Sequence, residues 1–211
     1  MAKLFRVDSP FMDAMSRLFD LVVLNLIFLL CCLPVVTIGA SCTALHTVTL
    51  KLSAGSEPPI LKTFFLAFKD NLKQATLTWL LLLAAGGFLY ADLLIAGQGG
   101  AGGLVMKCIF GFFGILYLFV LLYIFPIQSR YNNTIKMNLQ NALLMAIRQL
   151  PKTVLLATTV VLPVLVALYG PVSVFVICLV CFLVIGCSLV ACIQGKILLN
   201  IFAYYDDLAE E

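Results

Sequence analysis

Apolar positions along this chain fall into long runs, broken at short charged, proline-bearing or glycine-rich points. Asp8 and Ser9 ahead of Pro10 form a helix start: a capping side chain, then proline at the first turn. The helix predicted from about Pro10 begins amphipathic, with Phe11, Met15, Leu18 and Phe19 set against Asp13, Arg17 and Asp20. From Leu21 to Leu33 it is apolar on all sides. Pro34 to Gly39 interrupts it, a second apolar helix follows over about Ala40 to Leu52, and Gly55 is the expected stop.

Beyond Pro58-Pro59, the residues Ile60, Leu61, Phe64, Phe65, Phe68 and Leu72 share one helical face, with Lys62, Lys69, Asp70 and Lys73 off it. That stretch runs unbroken into the apolar segment Ala75–Ala96. Gln98 to Gly103 is a turn, and Leu104 to about Ile127 another span. Next comes a segment bearing Arg130, Lys136, Arg148 and Lys152 and no acid, within which Leu139, Leu143, Ala146, Ile147 and Leu150 form an apolar face. Pro151 punctuates, a span covers Thr153 to Leu168, Tyr169-Gly170-Pro171 is a tight turn, and the last apolar run is Val172 to about Leu199.

Composition settles the class. Of 211 residues, 63% are hydrophobic and 11% charged, and mean hydropathy is +1.13. A soluble domain carries about 25% charged residues, and a spanning helix needs about 20 apolar ones. The expected fold is all-α: a polytopic transmembrane bundle of about six spans with amphipathic cytoplasmic elbow helices, one domain over 1–211. A soluble enzyme, a disulfide scaffold and a disordered chain are excluded. The net charge of +3 is too small to suggest a nucleic-acid partner; the lipid bilayer is the partner expected.

The signs of the flanking charges decide the first region. From Leu21 to Leu50 a single helix would measure about 45 Å, against a hydrocarbon core of about 30 Å. It is either one long kinked span or a hairpin turning at Leu33–Gly39. Lys3, Arg6 and Arg17 precede it; Lys51, Lys62, Lys69 and Lys73 follow. Basic residues collect on the cytoplasmic side, and only a hairpin with Pro34 and Gly39 in its turn puts both clusters there. The same logic sets both termini in the cytoplasm of a bacterial cell, with no cleaved signal peptide expected.

An internal repeat is visible at an offset of about 79 by alignment of Phe64–Lys73 with Leu143–Lys152: Ala67 meets Ala146, Lys69 meets Arg148, Lys73 meets Lys152. Ile127-Gln-Ser-Arg130 also echoes Ile193-Gln-Gly-Lys196. One account is an elbow-and-hairpin unit used over 8–54, 58–130 and 138–203; convergence among apolar helices is the other.

Candidate chemistry is sparse. No catalytic residue, metal site or cofactor motif stands out, and the eight cysteines lie in apolar stretches as small packing residues. Asn25 and His46 are the intramembrane polar candidates, Asn25 for an interhelical hydrogen bond and His46 for a relay or a boundary position. Arg17 and Asp20 are spaced to pair along the helix, and Asp92 and Lys107 to cap or pair near the outer turn. Trp79, Tyr90, Tyr117, Tyr123 and Tyr169 are candidates for interface anchors. Lys62, Lys69, Lys73, Arg130, Arg148 and Lys152 form a basic surface for anionic lipid or a partner, and the acidic tail from Asp206 can pair with it. Small-residue faces serve packing in the chain, or docking on a partner or a second copy.

Asp8-Ser-Pro-Phe-Met12, Arg17-Leu-Phe-Asp-Leu21, Leu24-Asn-Leu26, Cys32 to Ser41, Thr43-Ala-Leu45, Phe64 to Lys69 and Asn71 to Thr76 together resemble the YesL family of bacterial multi-pass membrane proteins. The match covers roughly residues 8–80; beyond it the likeness is in hydropathy. The resemblance implies an association with carbohydrate-uptake ABC transporters, whose permease or ATPase subunits would be the partners. It supplies no catalytic residue.

Overall fold

In the computed structural model, residues 10–96 and 100–210 are described, and all their regular structure is helical. The proposed cap at Asp8-Ser9, the basic residues Lys3 and Arg6, and part of the Gln98–Gly103 turn lie outside them. The chain forms α1 (Pro10–Cys32), a 3₁₀ turn (Val35–Thr37), α2 (Ile38–Ser53), α3 (Ile60–Ala96), α4 (Gly100–Arg130), α5 (Ile135–Arg148), α6 (Leu150–Tyr169) and α7 (Val172–Cys181). A π-helical segment (Phe182–Gly186) then leads into α8 (Cys187–Glu210). Six helical segments are long and apolar enough to cross a membrane.

Residues 10–53 fold as a hairpin. Proline at position 34 cannot continue α1, and the Thr37 hydroxyl donates to the Cys31 carbonyl at 2.7 Å and the Pro34 carbonyl at 2.9 Å, locking the turn. The open end brings Arg17, Asp20 and Leu21 beside Leu52 and Ser53. At the end of α2, Gly55 adopts φ +82°, and the amides of Ala54, Gly55 and Ser56 reach back to the last carbonyls of the helix. Only glycine does this without strain.

The largest helix interface is α2 against the first half of α3. Gly39 lies against Ala75 and Trp79, while Leu45, Val48 and Ala44 share a buried cluster with Ile60, Phe64 and Ala67, so the two helices run antiparallel. The second half of α3 pairs instead with α4, where the Tyr117 hydroxyl donates to the Leu82 carbonyl at 2.9 Å. A second cluster joins Tyr123, Ile124 and Ile127 of α4 to Ala142 and Ala146 of α5, Leu156 of α6 and Leu198, Ile201 and Phe202 of α8.

The apolar faces of the two elbows are each divided between the bundle and its exterior. On α3 the predicted apolar face divides: Ile60 and Phe64 are buried under the hairpin, whereas Leu61, Phe65 and Leu72 stay exposed. On α5 the buried side is Asn138, Ala142, Met145 and Ala146, with Ile147 exposed; Leu150, exposed too, begins α6. On α5, Ala142 and Ala146 share their buried cluster with Tyr123, Ile124 and Ile127 of α4. The elbows are thus packed members of the bundle on one side.

Candidate functional site

Polar side chains inside the bundle are concentrated at helix crossings. Asn25, fully buried, meets the π-helical segment of the last span: its Nδ2 donates to the Phe182 carbonyl at 3.2 Å and the Leu183 carbonyl at 2.8 Å. Its Oδ1 accepts from the Ser188 amide at 3.1 Å, and the Ser188 hydroxyl donates to the Leu21 carbonyl at 2.7 Å. A π-turn shifts the helical hydrogen-bond ladder by one residue and leaves backbone groups short of partners. The single carboxamide, with two donors and one acceptor, supplies them. Asn25 is therefore a clamp between α1 and the last span.

Two further crossings use glutamine. Gln128 Nε2 donates to the Thr78 hydroxyl at 2.9 Å, and Gln194 Nε2 to the Thr159 hydroxyl at 3.0 Å. These are the glutamines of the echoed tetrapeptides, and each ties the returning helix of a hairpin to its outgoing one. The Tyr123 and Thr153 hydroxyls share a buried hydrogen bond of 2.9 Å.

Aromatic residues expected at the interface divide. Tyr90 and Tyr169 are exposed, Tyr169 at 87%. Tyr123 is fully buried and belongs to the core, a correction to the anchor reading. Trp79 also works inside the bundle: its Nε1 donates to the Val35 carbonyl at 2.9 Å, and its ring sits 6.3 Å from that of Phe125. Hydropathy alone does not distinguish a ring facing lipid from one facing a neighbouring helix.

His46 sits in mid-α2, partly exposed, with a buried Nδ1 that has no hydrogen-bond partner among the described residues. Arg17 and Asp20 do not form an ion pair, another correction. Both line a cavity of about 450 Å³ at the open end of the hairpin, with Ser16, Ser53, Ser56, Glu57 and Lys196. Asp92 and Lys107 likewise make no ion pair with each other; among the described residues the ion pair found is Arg130–Asp206.

That pair reorganises the basic surface. Arg130 Nη2 lies 2.5 Å from Asp206 Oδ2, and its guanidinium stacks over the rings of Tyr131 and Phe202 at 5.7 and 5.4 Å. The Tyr131 hydroxyl donates to the other oxygen of Asp206 at 2.6 Å. Burial, and then this hydrogen bond, push the Tyr131 phenol up to about 12. Arg130 is therefore a tether between the end of α4 and α8. Lys62, Lys69 and Lys73 lie exposed on the flank of α3, with Asp70 among them. Arg148 and Lys152 come together across the break at Gln149, at a cavity of about 500 Å³ shared with Tyr204. The six predicted basic residues thus occupy three separate places, and α8 supplies partners at two: Asp206, which the sequence offered as a partner for the basic surface, pairs with Arg130, and Tyr204 lies beside Arg148 and Lys152.

Among the described residues, no group of three histidine, cysteine or acidic side chains is placed to hold a metal ion. A profile described as a protein of unknown function, DUF624, matches residues 21–93. That stretch is α1 from Leu21, the turn, α2 and nearly all of α3, the part of the chain in which Gly39 and Val35 seat on Ala75 and Trp79. The chain is similar to Uncharacterized protein YesL of Bacillus subtilis (strain 168), 29% identical over 150 residues, which cover 71% of each chain. No solved structure matches. The chain is YesL-like, as the motifs of its first third imply.

Proposed function

We propose that this YesL-like, multi-pass membrane protein is a non-enzymatic accessory or assembly component of an ABC-type carbohydrate importer. The observation that carries the proposal is where polarity is used. Asn25, Thr78, Gln128, Tyr123, Thr153, Thr159 and Gln194 bind helices to one another. Meanwhile long apolar faces of α3, α4, α6 and α7 remain exposed, and lysines stand outward at the charged end. Such a chain offers surfaces to lipid and to other spans more than an interior to a solute. The sugar-import association comes from the family resemblance. A pull-down in mild detergent from cells expressing the protein at native level should bring down a permease or ATPase subunit. Recovery of the protein without either overturns the proposal.

A second reading is favoured by the cavity at the open end of the hairpin. Arg17, Lys196, Asp20 and Glu57 line it with no ion pair among the described residues, which suits a small polar solute and a transporter or channel role. Solute uptake into liposomes holding the purified protein, reduced by Asp20→Asn and by His46→Ala, would establish that reading. Absence of uptake would remove it.

A further inference from the structure

Of the basic residues on this surface, Arg148 and Lys152 differ in what surrounds them. Arg130 is neutralised by Asp206. Lys69 and Lys73 share their flank with Asp70. The segment 130–152 has no acid, and among the described side chains the acid seen to pair with it, Asp206, is held by Arg130 and Tyr131. Arg148 and Lys152 are thus cations without a carboxylate partner among the described residues.

Their geometry is that of a groove. Arg148 is common to two adjoining cavities. One, about 500 Å³, is walled by Gln149, Lys152 and Tyr204; the other, about 360 Å³, by Tyr131, Asn133, Asn141, Tyr205 and the Asp206 already held by Arg130, among others. Lys152 is half-buried, and its Nζ reaches toward the Asn200 carbonyl at 3.5 Å, which leans the ammonium over the gap between α6 and α8. Along the Lys152 side of α6 stand Leu155, Leu162 and Val166, three, ten and fourteen residues on, at 57, 56 and 44% exposure. Two cations, amide and phenol donors, and an apolar strip leading away from them match one class of ligand: a phosphate with hydrocarbon attached.

We propose that the groove formed by Arg148, Lys152 and Tyr204 is a binding site for the phosphate of an anionic phospholipid, whose acyl chains lie along the exposed face of α6. The guanidinium offers paired N–H donors to phosphate oxygens and the lysine a point charge. At the charged end of a membrane bundle, such basic recesses between helices suit lipid headgroups. The site is independent of the importer reading.

The test is native mass spectrometry of the detergent-purified full chain with phosphatidylglycerol, phosphatidylcholine and inorganic phosphate. Retention of one phosphatidylglycerol in preference to phosphatidylcholine, weakened as salt rises, is expected. Arg148→Gln with Lys152→Gln should weaken it at least about tenfold, while Lys69→Gln with Lys73→Gln leaves it unchanged. Millimolar inorganic phosphate should not displace the lipid. Equal retention of both lipids by the unmodified chain overturns the proposal, whatever the fate of the variants. Unchanged binding in the folded Arg148/Lys152 variant also overturns it. Binding of inorganic phosphate with no lipid preference would assign the groove to a free anion instead.

Discussion

The indole of Trp79 donates its hydrogen bond to the carbonyl of Val35, and this contact sets the reach of the first hairpin. From Trp79, α3 runs on to Ala96, about 25 Å further at ~1.5 Å per residue. The hairpin turn stops beside the middle of α3, level with the start of its apolar run. Lys62, Lys69, Asp70 and Lys73 lie on the part of α3 that α2 covers, and exposed charges are costly in hydrocarbon. The turn is therefore predicted to lie short of the outer surface. In a background with the native cysteines replaced, Tyr169→Cys should react with a membrane-impermeant maleimide applied to whole cells, and Val35→Cys should not. Equal labelling would refute this depth.

Asn25 is predicted to be a stability determinant. Asn25→Leu fits the volume but leaves the Phe182 and Leu183 carbonyls and the Ser188 amide without their side-chain partner. A cost of about 1–3 kcal/mol is expected for orphaned buried polar groups, seen as a lower melting temperature in detergent. An unchanged melting temperature would show that the π-helical segment does not need the clamp.

Gly39 and Gly87 should respond oppositely to alanine. A Cβ at Gly39 would stand 2.6 Å from the Cβ of Trp79 and nearer still to the Ala75 carbonyl, both on α3. Gly39→Ala should push the hairpin away and destabilise by about 1–3 kcal/mol. At Gly87, within α3, nothing lies within 4 Å of the new atom. Gly87→Ala should be neutral or stabilising by up to about 1 kcal/mol, through helix propensity alone. Melting curves of the two proteins side by side test the pair.

The Tyr131–Asp206 bond predicts an alkaline weakness. Burial first, then the hydrogen bond, raise the folded-state phenol to about 12, above its ordinary value of about 10. The neutral phenol is thus favoured by the fold. Its contribution is fully present below pH about 10 and declines as pH rises toward about 12, where the unfolded chain ionises and the folded one resists. Tyr131→Phe should be less stable at neutral pH, and should lose less stability than the unmodified chain between those two pH values. Parallel losses in both proteins would disprove the assignment.

Much of the architecture was legible along the chain because membrane insertion constrains length and polarity residue by residue. The breaks at Pro34–Gly39, Gly55 and Tyr169–Pro171 follow from the backbone chemistry of proline and glycine. The site was less legible. Arg130, Arg148 and Lys152 look alike in sequence, but what distinguishes them is α8, which brings Asp206 to the first and Tyr204 to the other two from more than fifty residues away.

By itself, then, the sequence determined a helical membrane protein, its apolar segments, the turn at Pro34–Gly39 and the likeness to YesL. Each of these rests on local hydropathy, on backbone preference or on motif. Only the tertiary structure decided that Trp79 and Tyr123 face inward, that Asn25 clamps a π-turn, that the first hairpin ends beside mid-α3, and which cations have no carboxylate partner among the described residues. Those outcomes depend on which helix faces meet. Apolar helices in lipid choose partners by close packing and a few hydrogen bonds, properties of pairs of segments that one segment's sequence does not contain.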